Sequence, residues 1–188
     1  MNAPFIRLVP RRTRLTRAAS SRGFTLVELL VTMAIAGIVL MLAVPSMTQF
    51  LSDRAAEANA QEFVEAIRFA RTEAMKRSRP VSICATSAPE DEAPVCSGKP
   101  DWDKGWLVIY PESQQVLRIQ NGLRAMRADT PVDTDESQID FQSTGIVTLG
   151  ADTYDFYPVG DTGDDDYKKR VRRVEISVQG RAKVTKGI

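Results

Sequence analysis

The chain has no histidine and only two cysteines among its 188 residues, a shortage that removes whole classes of chemistry. Histidine is the side chain most often used as a general base and as a metal ligand. Without it, a Cys-His catalytic pair and a zinc site are excluded within this chain. There is no glycine-rich phosphate loop and no internal repeat. Asp140 and Asp155 lie near strand-like segments, but no nucleophile-base arrangement accompanies them, and acids alone are common. An enzymatic role therefore has little support. Acid is also missing from residues 1–23, which hold six arginines: Arg7, Arg11, Arg12, Arg14, Arg17 and Arg22. The next segment has little charge of either sign. From Phe24 to Val44 the sequence reads FTLVELLVTMAIAGIVLMLAV, with Glu28 its one ionisable side chain.

At about 1.5 Å per residue such a run reaches roughly 30 Å as a helix, enough to cross a hydrocarbon core. A carboxylate inside it costs on the order of 2.5–3.5 kcal/mol on insertion scales, so it calls for a partner. The residues after the run are mixed in charge (Asp53, Arg54, Glu57), whereas the charged residues before it are all basic. The positive-inside rule then keeps the N-terminus cytoplasmic and translocates everything after Pro45. A cleaved secretory signal is the competing reading, since Ala34-Ile35-Ala36 offers a small-x-small site. It leaves a short apolar region interrupted by Glu28 and discards a helix that continues well beyond.

The stretch Gly23-Phe24-Thr25-Leu26-Val27-Glu28 resembles the cleavage and methylation motif of type IV pilins and type II secretion pseudopilins. The resemblance implies that a prepilin peptidase cuts between Gly23 and Phe24 on the cytoplasmic face and methylates the new amine of Phe24. Removing the six arginines of the leader takes the formal charge from +1 to −5. It also implies a role for Glu28: pairing with the Phe24 amine, in the same or a neighbouring subunit, which sets the register of incoming subunits.

After Pro45 the pattern becomes one-sided. A bend or local loosening is expected near residues 41–45. Beyond it Ala56, Ala60, Phe63, Ile67, Ala70 and Ala74 recur at four- and three-residue steps and make one apolar stripe. Charged residues, Glu73 and Arg77 among them, occupy much of the remainder. Arg79 precedes Pro80, which disfavours further helix. From Phe24 to about Arg77 the helix would be roughly 80 Å long. Its first half suits lipid or other such helices, and its stripe suits packing onto a sheet.

Residues 78–188 are long enough for one modest core. Strands are expected at Val81–Ala85, Trp106–Tyr110, Val116–Ile119, Ile139–Phe141, Ile146–Leu149, Tyr154–Tyr157, Val171–Val178 and Arg181–Val184. Turn residues separate them at Pro111-Glu112-Ser113, Thr144-Gly145 and Gln179-Gly180. The expected fold class is α+β, with a type IV pilin-like architecture: a long kinked N-terminal helix on an antiparallel β-rich head. Cys84 and Cys96 are either two free thiols or a disulfide. The inferred oxidising compartment favours the bridge, worth roughly 3 kcal/mol for a loop of that size.

Several features of the head are similar to the GspH/FimT family of minor pseudopilins and minor pilins. They are Ile83-Cys84, Cys96, Trp102, Gly105-Trp106 before a strand, Phe141 followed by Gly145, and a terminal strand-Gly180-strand. Trp102 and Trp106 read as core or loop-anchoring residues. The implied organisation is a basic leader over 1–23, a membrane or filament-core helix over 24–44, its amphipathic continuation over 45–77, and a periplasmic head over 78–188. The protein would stand in the inner membrane with its N-terminus cytoplasmic and then enter a pilus or pseudopilus. Its partners would be the prepilin peptidase, other pilin or pseudopilin subunits, the inner-membrane assembly platform and lipid. No cofactor and no metal are expected.

Two charged stretches close the chain. Asp161, Asp164, Asp165 and Asp166 crowd one loop, but not with the spacing of a calcium loop, and a solvated acidic loop is the expectation. Residues 168–186 then carry eight basic residues against Glu175 alone. Arg181 and Lys183 are two apart and share a strand face, with Ala182 and Val184 toward the core. Some FimT-like minor pilins capture DNA through a C-terminal Gly-Arg-x-Arg element, and this chain has Gly180-Arg181-Ala182-Lys183. Arg172, Arg173, Arg181, Lys183 and Lys186 are therefore candidate phosphate contacts. The competing expectation is that they neutralise nearby aspartates or meet another subunit.

Overall fold

A computed structural model describes residues 23–124, 126, 131–160 and 165–187, apart from the side chains of residues 42–46 and 165. The arginines of the leader and the acids Asp161 and Asp164 lie outside the described residues, as does the side chain of Asp165. The chain divides into two compact units, Met1–Met41 and Leu42–Ile188.

In the first unit a helix starts at Leu26. Thr25 caps it, its Oγ1 accepting from the Glu28 N–H at 3.2 Å and its carbonyl from the Leu29 N–H at 3.1 Å. A threonine oxygen on the third helical amide is a standard way to satisfy an orphan donor. Glu28 thus stands in the first turn, where the helix dipole favours negative charge. Every described side chain from Phe24 to Met41 is exposed, Phe24 at 82%. Among the described residues no helix is long and apolar enough to cross a membrane. The apolar run of the sequence continues past Met41 into residues whose side chains are not described, and the bend expected at 41–45 falls there too.

The helix, α1, is assigned over Leu26–Arg77. In the second unit its stripe is buried as expected: Ala56, Ala60, Phe63, Ile67, Ala70 and Ala74 are all at 0% exposure. It ends at a left-handed Ser78 (φ 50°), with Arg79 N–H donating to the Ala74 carbonyl at 3.2 Å. That bond closes the last turn ahead of Pro80.

Among the described residues nine strands come next, in two antiparallel sheets. The first holds β1 (Val81–Ala85), β2 (Gly105–Tyr110), β3 (Gln115–Asn121), β5 (Gln138–Phe141) and β6 (Val147–Leu149), in the order β3-β2-β1-β5-β6. The second holds β4 (Val132–Asp133), β7 (Thr153–Phe156), β8 (Arg172–Ile176) and β9 (Ala182–Lys186), in the order β4-β7-β8-β9. A short helix, α2 (Asp165–Lys168), precedes β8. All eight expected strands are present within a few residues of their expected ends. The two-residue β4 carries too little alternation to be read from sequence, and α2 is a single turn.

Both sheets share one core with α1. Val81, Ile83, Trp106 and Val108 from the first sheet join Tyr154, Phe156, Val174 and Ile176 from the second. Phe63 is the hub. Its ring lies 5.1–5.6 Å from those of Trp102, Trp106, Tyr154 and Phe156, distances at which tilted and edge-on aromatic pairs add to area burial. Both tryptophans are core residues, as the sequence suggests. Every residue of β2 is buried, because the sheet is covered on both faces. Cys84, Leu107 and Ile109 form a second small cluster on the far side, with Cys96 and Val116 over it.

Candidate assembly motif and basic surface

The N-terminal motif is simple in geometry. Gly23 and Phe24 precede the helix as an exposed, non-helical lead-in, the kind of backbone a peptidase requires. Glu28 is exposed, and among the described residues its carboxylate has no ion-pair partner. The spacing of five from Gly23 has a local reason: Thr25 caps, and the third helical position is one where glutamate is favoured.

Cys84 and Cys96 are bridged, with Cα atoms 5.5 Å apart. Cys84 sits on the outer face of β1, and the bridge pins the β1–β2 connection over Leu107 and Ile109. The bond is therefore part of the cover of the first sheet.

The five candidate phosphate contacts do not form one free patch. Arg172 is buried and bonds through Nε to the Glu57 carboxylate on α1. Arg173 makes a two-pronged contact with Asp155, both bonds 2.7 Å. Lys183 meets Glu175 across the β8–β9 pair at 2.8 Å. Arg181 and Lys186 are exposed and lack an ion-pair partner among the described residues. Arg181 lies one residue before β9, where its carbonyl still accepts from the Ser177 N–H at 2.9 Å. Ala182 and Val184 do pack toward the core.

These pairs leave an electrostatic signature. Burial opposes ionisation of Glu57, but the Arg172 hydrogen bond and the charges of Arg172 and Lys186 outweigh it and hold the carboxyl below its ordinary range. The Lys183 hydrogen bond pulls half-buried Glu175 down as well. The strand acids raised by the enzymatic reading are engaged structurally. Asp140 accepts from Ser82 and Gln138, each at 2.6 Å, and Asp155 is held by Arg173. Asp166 pairs with Lys169 at 3.3 Å. Among the described residues no group of three or more metal-type ligands converges.

Sequence reading missed two sets of contributors. Asp53 and Glu57 of α1 are the partners of Arg170 (2.7 Å) and Arg172, more than a hundred residues away, where no local pattern reaches. Arg68 and Arg71 of α1 line a groove with Arg181. Their helical spacing is legible, but the strand they face is not.

Known proteins share both the motif and the head. The family model for type II transport protein GspH matches residues 59–180, and the model for the prokaryotic N-terminal methylation motif matches residues 19–44. The fold is similar to the crystal structure of the type IV minor pilin FimU of Pseudomonas aeruginosa (strain PAO1). That alignment has 21% identity and a TM-score of 0.50, covering 72% of this chain and 92% of the other. A second crystal form of FimU aligns at 20% identity and a TM-score of 0.46, covering 69% and 91%. No curated protein matches the chain.

Proposed function

From the premise that this chain belongs to the type II transport protein GspH family, and is a minor pilin or pseudopilin with a methylation motif, we propose how its N-terminus works. A prepilin peptidase cleaves between Gly23 and Phe24 and methylates the Phe24 amine. Residues 24–44 anchor the subunit in the inner membrane, N-terminus cytoplasmic, and residues 78–188 form the head on the far side. Glu28 pairs with the positively charged Phe24 amine of its own or a neighbouring subunit as the chain enters a type II secretion pseudopilus or a type IV pilus.

The observation that carries this is the coincidence of the methylation-motif match with an exposed Glu28 in the first helical turn, unpartnered among the described residues. Pairing with an amine offsets much of the cost of a carboxylate in lipid, on the order of 2.5–3.5 kcal/mol, and gives the subunit a register. The family is one of structural subunits, and we assign this chain no catalytic step.

Glu28→Ala should remain in the membrane fraction, still cleaved, yet be absent from sheared filaments. Incorporation equal to the unaltered chain would sink the reading. Mass spectrometry of the purified protein should show Phe24 as the first residue, one methyl group heavier than the free amine. DNA capture by the C-terminal strand draws support only from Arg181 and Lys186, since Arg172, Arg173 and Lys183 already have acidic partners.

A further inference from the structure

We propose that the groove between α1 and β9 is a docking site for an extended acidic segment of another protein subunit. Three observations converge on it. The first is charge. Arg68 and Arg71 on α1 and Arg181 in the β8–β9 turn line one open groove of about 340 Å³, and no acid lines it. Among the described residues none of the three has an ion-pair partner. The contrast with the surrounding cations is sharp: Arg170, Arg172, Arg173 and Lys183 are each paired with a carboxylate.

The second observation is order. Arg71 donates from Nε to the Gly145 carbonyl at 3.2 Å, and its stem crosses Gly180 so closely that an added Cβ there would stand 3.0 Å from Cδ. The guanidinium is held in place, and its two terminal nitrogens are left to meet a ligand. A fixed fork of this kind suits a carboxylate, because little freedom is lost when the bond forms.

The third observation is backbone. β9 is the outermost strand of its sheet. Ser177 N–H donates to the Arg181 carbonyl at 2.9 Å and Gly187 N–H to the Val171 carbonyl at 3.1 Å. Antiparallel pairing alternates, so residues 181, 183, 185 and 187 face β8 with their backbone polar groups. Ala182, Val184 and Lys186 direct theirs outward, unpaired within the sheet. An exposed edge of this kind accepts a strand from a partner.

The surroundings favour a peptide over a nucleic acid. The adjoining cavity shares Arg181 and Ala182 but is also lined by Asp152, and by Glu175 in its pair with Lys183. The Asp152 carboxylate opposes a continuous phosphate backbone along this edge, whereas discrete acidic side chains can avoid it. Met75, 43% exposed, gives the groove an apolar wall, which suits the alternate side chains of a strand. Lysines on β9 discourage edge pairing with chains in general; an acidic strand is the one partner they do not repel.

The inference rests on the pilin reading only for the identity of the partner, and a direct titration tests it whether or not Glu28 acts in assembly. The probe is a fluorescein-labelled octapeptide of alternating Glu and Val, added to the full chain in detergent micelles and followed by anisotropy. Binding should weaken as salt rises. It should fall by at least about tenfold in Arg181→Glu, an exposed site whose change leaves the core intact, and in Arg71→Ala. Lys183→Ala should change it less than about twofold, since that cation is already paired. The same peptide with alternate backbone amides methylated should bind at least about tenfold more weakly. No binding at millimolar peptide, equal binding by Arg181→Glu, or equal binding of the methylated peptide overturns the proposal. So does tight binding of labelled oligothymidylate where the peptide fails, which would make the groove a phosphate reader.

Discussion

Ser78 occupies a position that suits glycine. Its φ of 50° places it in the left-handed region, which costs an L-residue roughly 1–2 kcal/mol. The conformation is needed because Arg79 and Ser78 must turn back to the Ala74 and Met75 carbonyls, at 3.2 and 3.4 Å, to close α1. Nothing in the sequence marks this, since serine after a helix is unremarkable and the stop signal is Pro80. Glycine would take the same shape without steric cost, though it adds freedom to the unfolded chain. Ser78→Gly should therefore raise stability by about 0.5–1 kcal/mol. In a denaturant melt that is a higher midpoint at unchanged slope; a lower midpoint would mean that the serine side chain contributes something the backbone argument omits.

The pair β1–β2 shows what an element needs beyond its own pattern. Val81, Ile83 and Ala85 face the shared core, and Cys84 faces the other way with Leu107 and Ile109. The outer face is kept dry by a connection of low regularity, residues 86–104, and the Cys84–Cys96 bridge ties that connection down. Replacing both cysteines with alanine should lower stability by about 2–4 kcal/mol. Hydrogen exchange should quicken first in residues 86–104 and on the β2 amides, before the α1-facing core opens. Uniform quickening across both sheets would place the bridge's effect elsewhere. The strands themselves were legible because alternation and turn residues are local: Val81–Ala85 stands as expected, and the Thr144-Gly145 turn opens β6 one residue later than expected. Arg181 reads as part of β9 because its basic, alternating neighbourhood looks strand-like. The turn of Ser177–Gly180 claims it instead, with Arg181 N–H donating to Ser177 Oγ at 3.2 Å.

At the scale of the whole head, the contacts that join α1 to the second sheet are the ones no local pattern reveals. Asp53 to Arg170 spans 117 residues and Glu57 to Arg172 spans 115. Ser52 Oγ accepts from the Val159 N–H at 2.6 Å in the same region. Hydrophobic periodicity could place the stripe of α1 against a sheet because burial follows a period. The basic run at 168–173 reads as a surface patch because the acids that hold Arg170 and Arg172, Asp53 and Glu57, lie over a hundred residues upstream. Those acids set the pH response. Glu57 is held below its ordinary value of 4.5 in the folded head, burial notwithstanding, by Arg172 and Lys186. A carboxyl depressed on folding contributes stability in full above its unfolded value and loses it as pH falls through the folded one. Glu175 moves in the same direction through Lys183, but its side chain still reaches solvent, so solvent screens its share. The thermal midpoint should therefore hold from neutrality down to about pH 5 and then fall as these carboxylates protonate. Glu57→Gln should flatten that fall. It should also lower the midpoint at pH 7 by several degrees, because buried Arg172 keeps its charge and loses its partner, a cost of about 1–3 kcal/mol. Glu175→Gln should barely alter the midpoint at pH 7. An acid limb unchanged in Glu57→Gln would move the pH sensitivity to the other carboxylates and away from the junction of α1 with the second sheet.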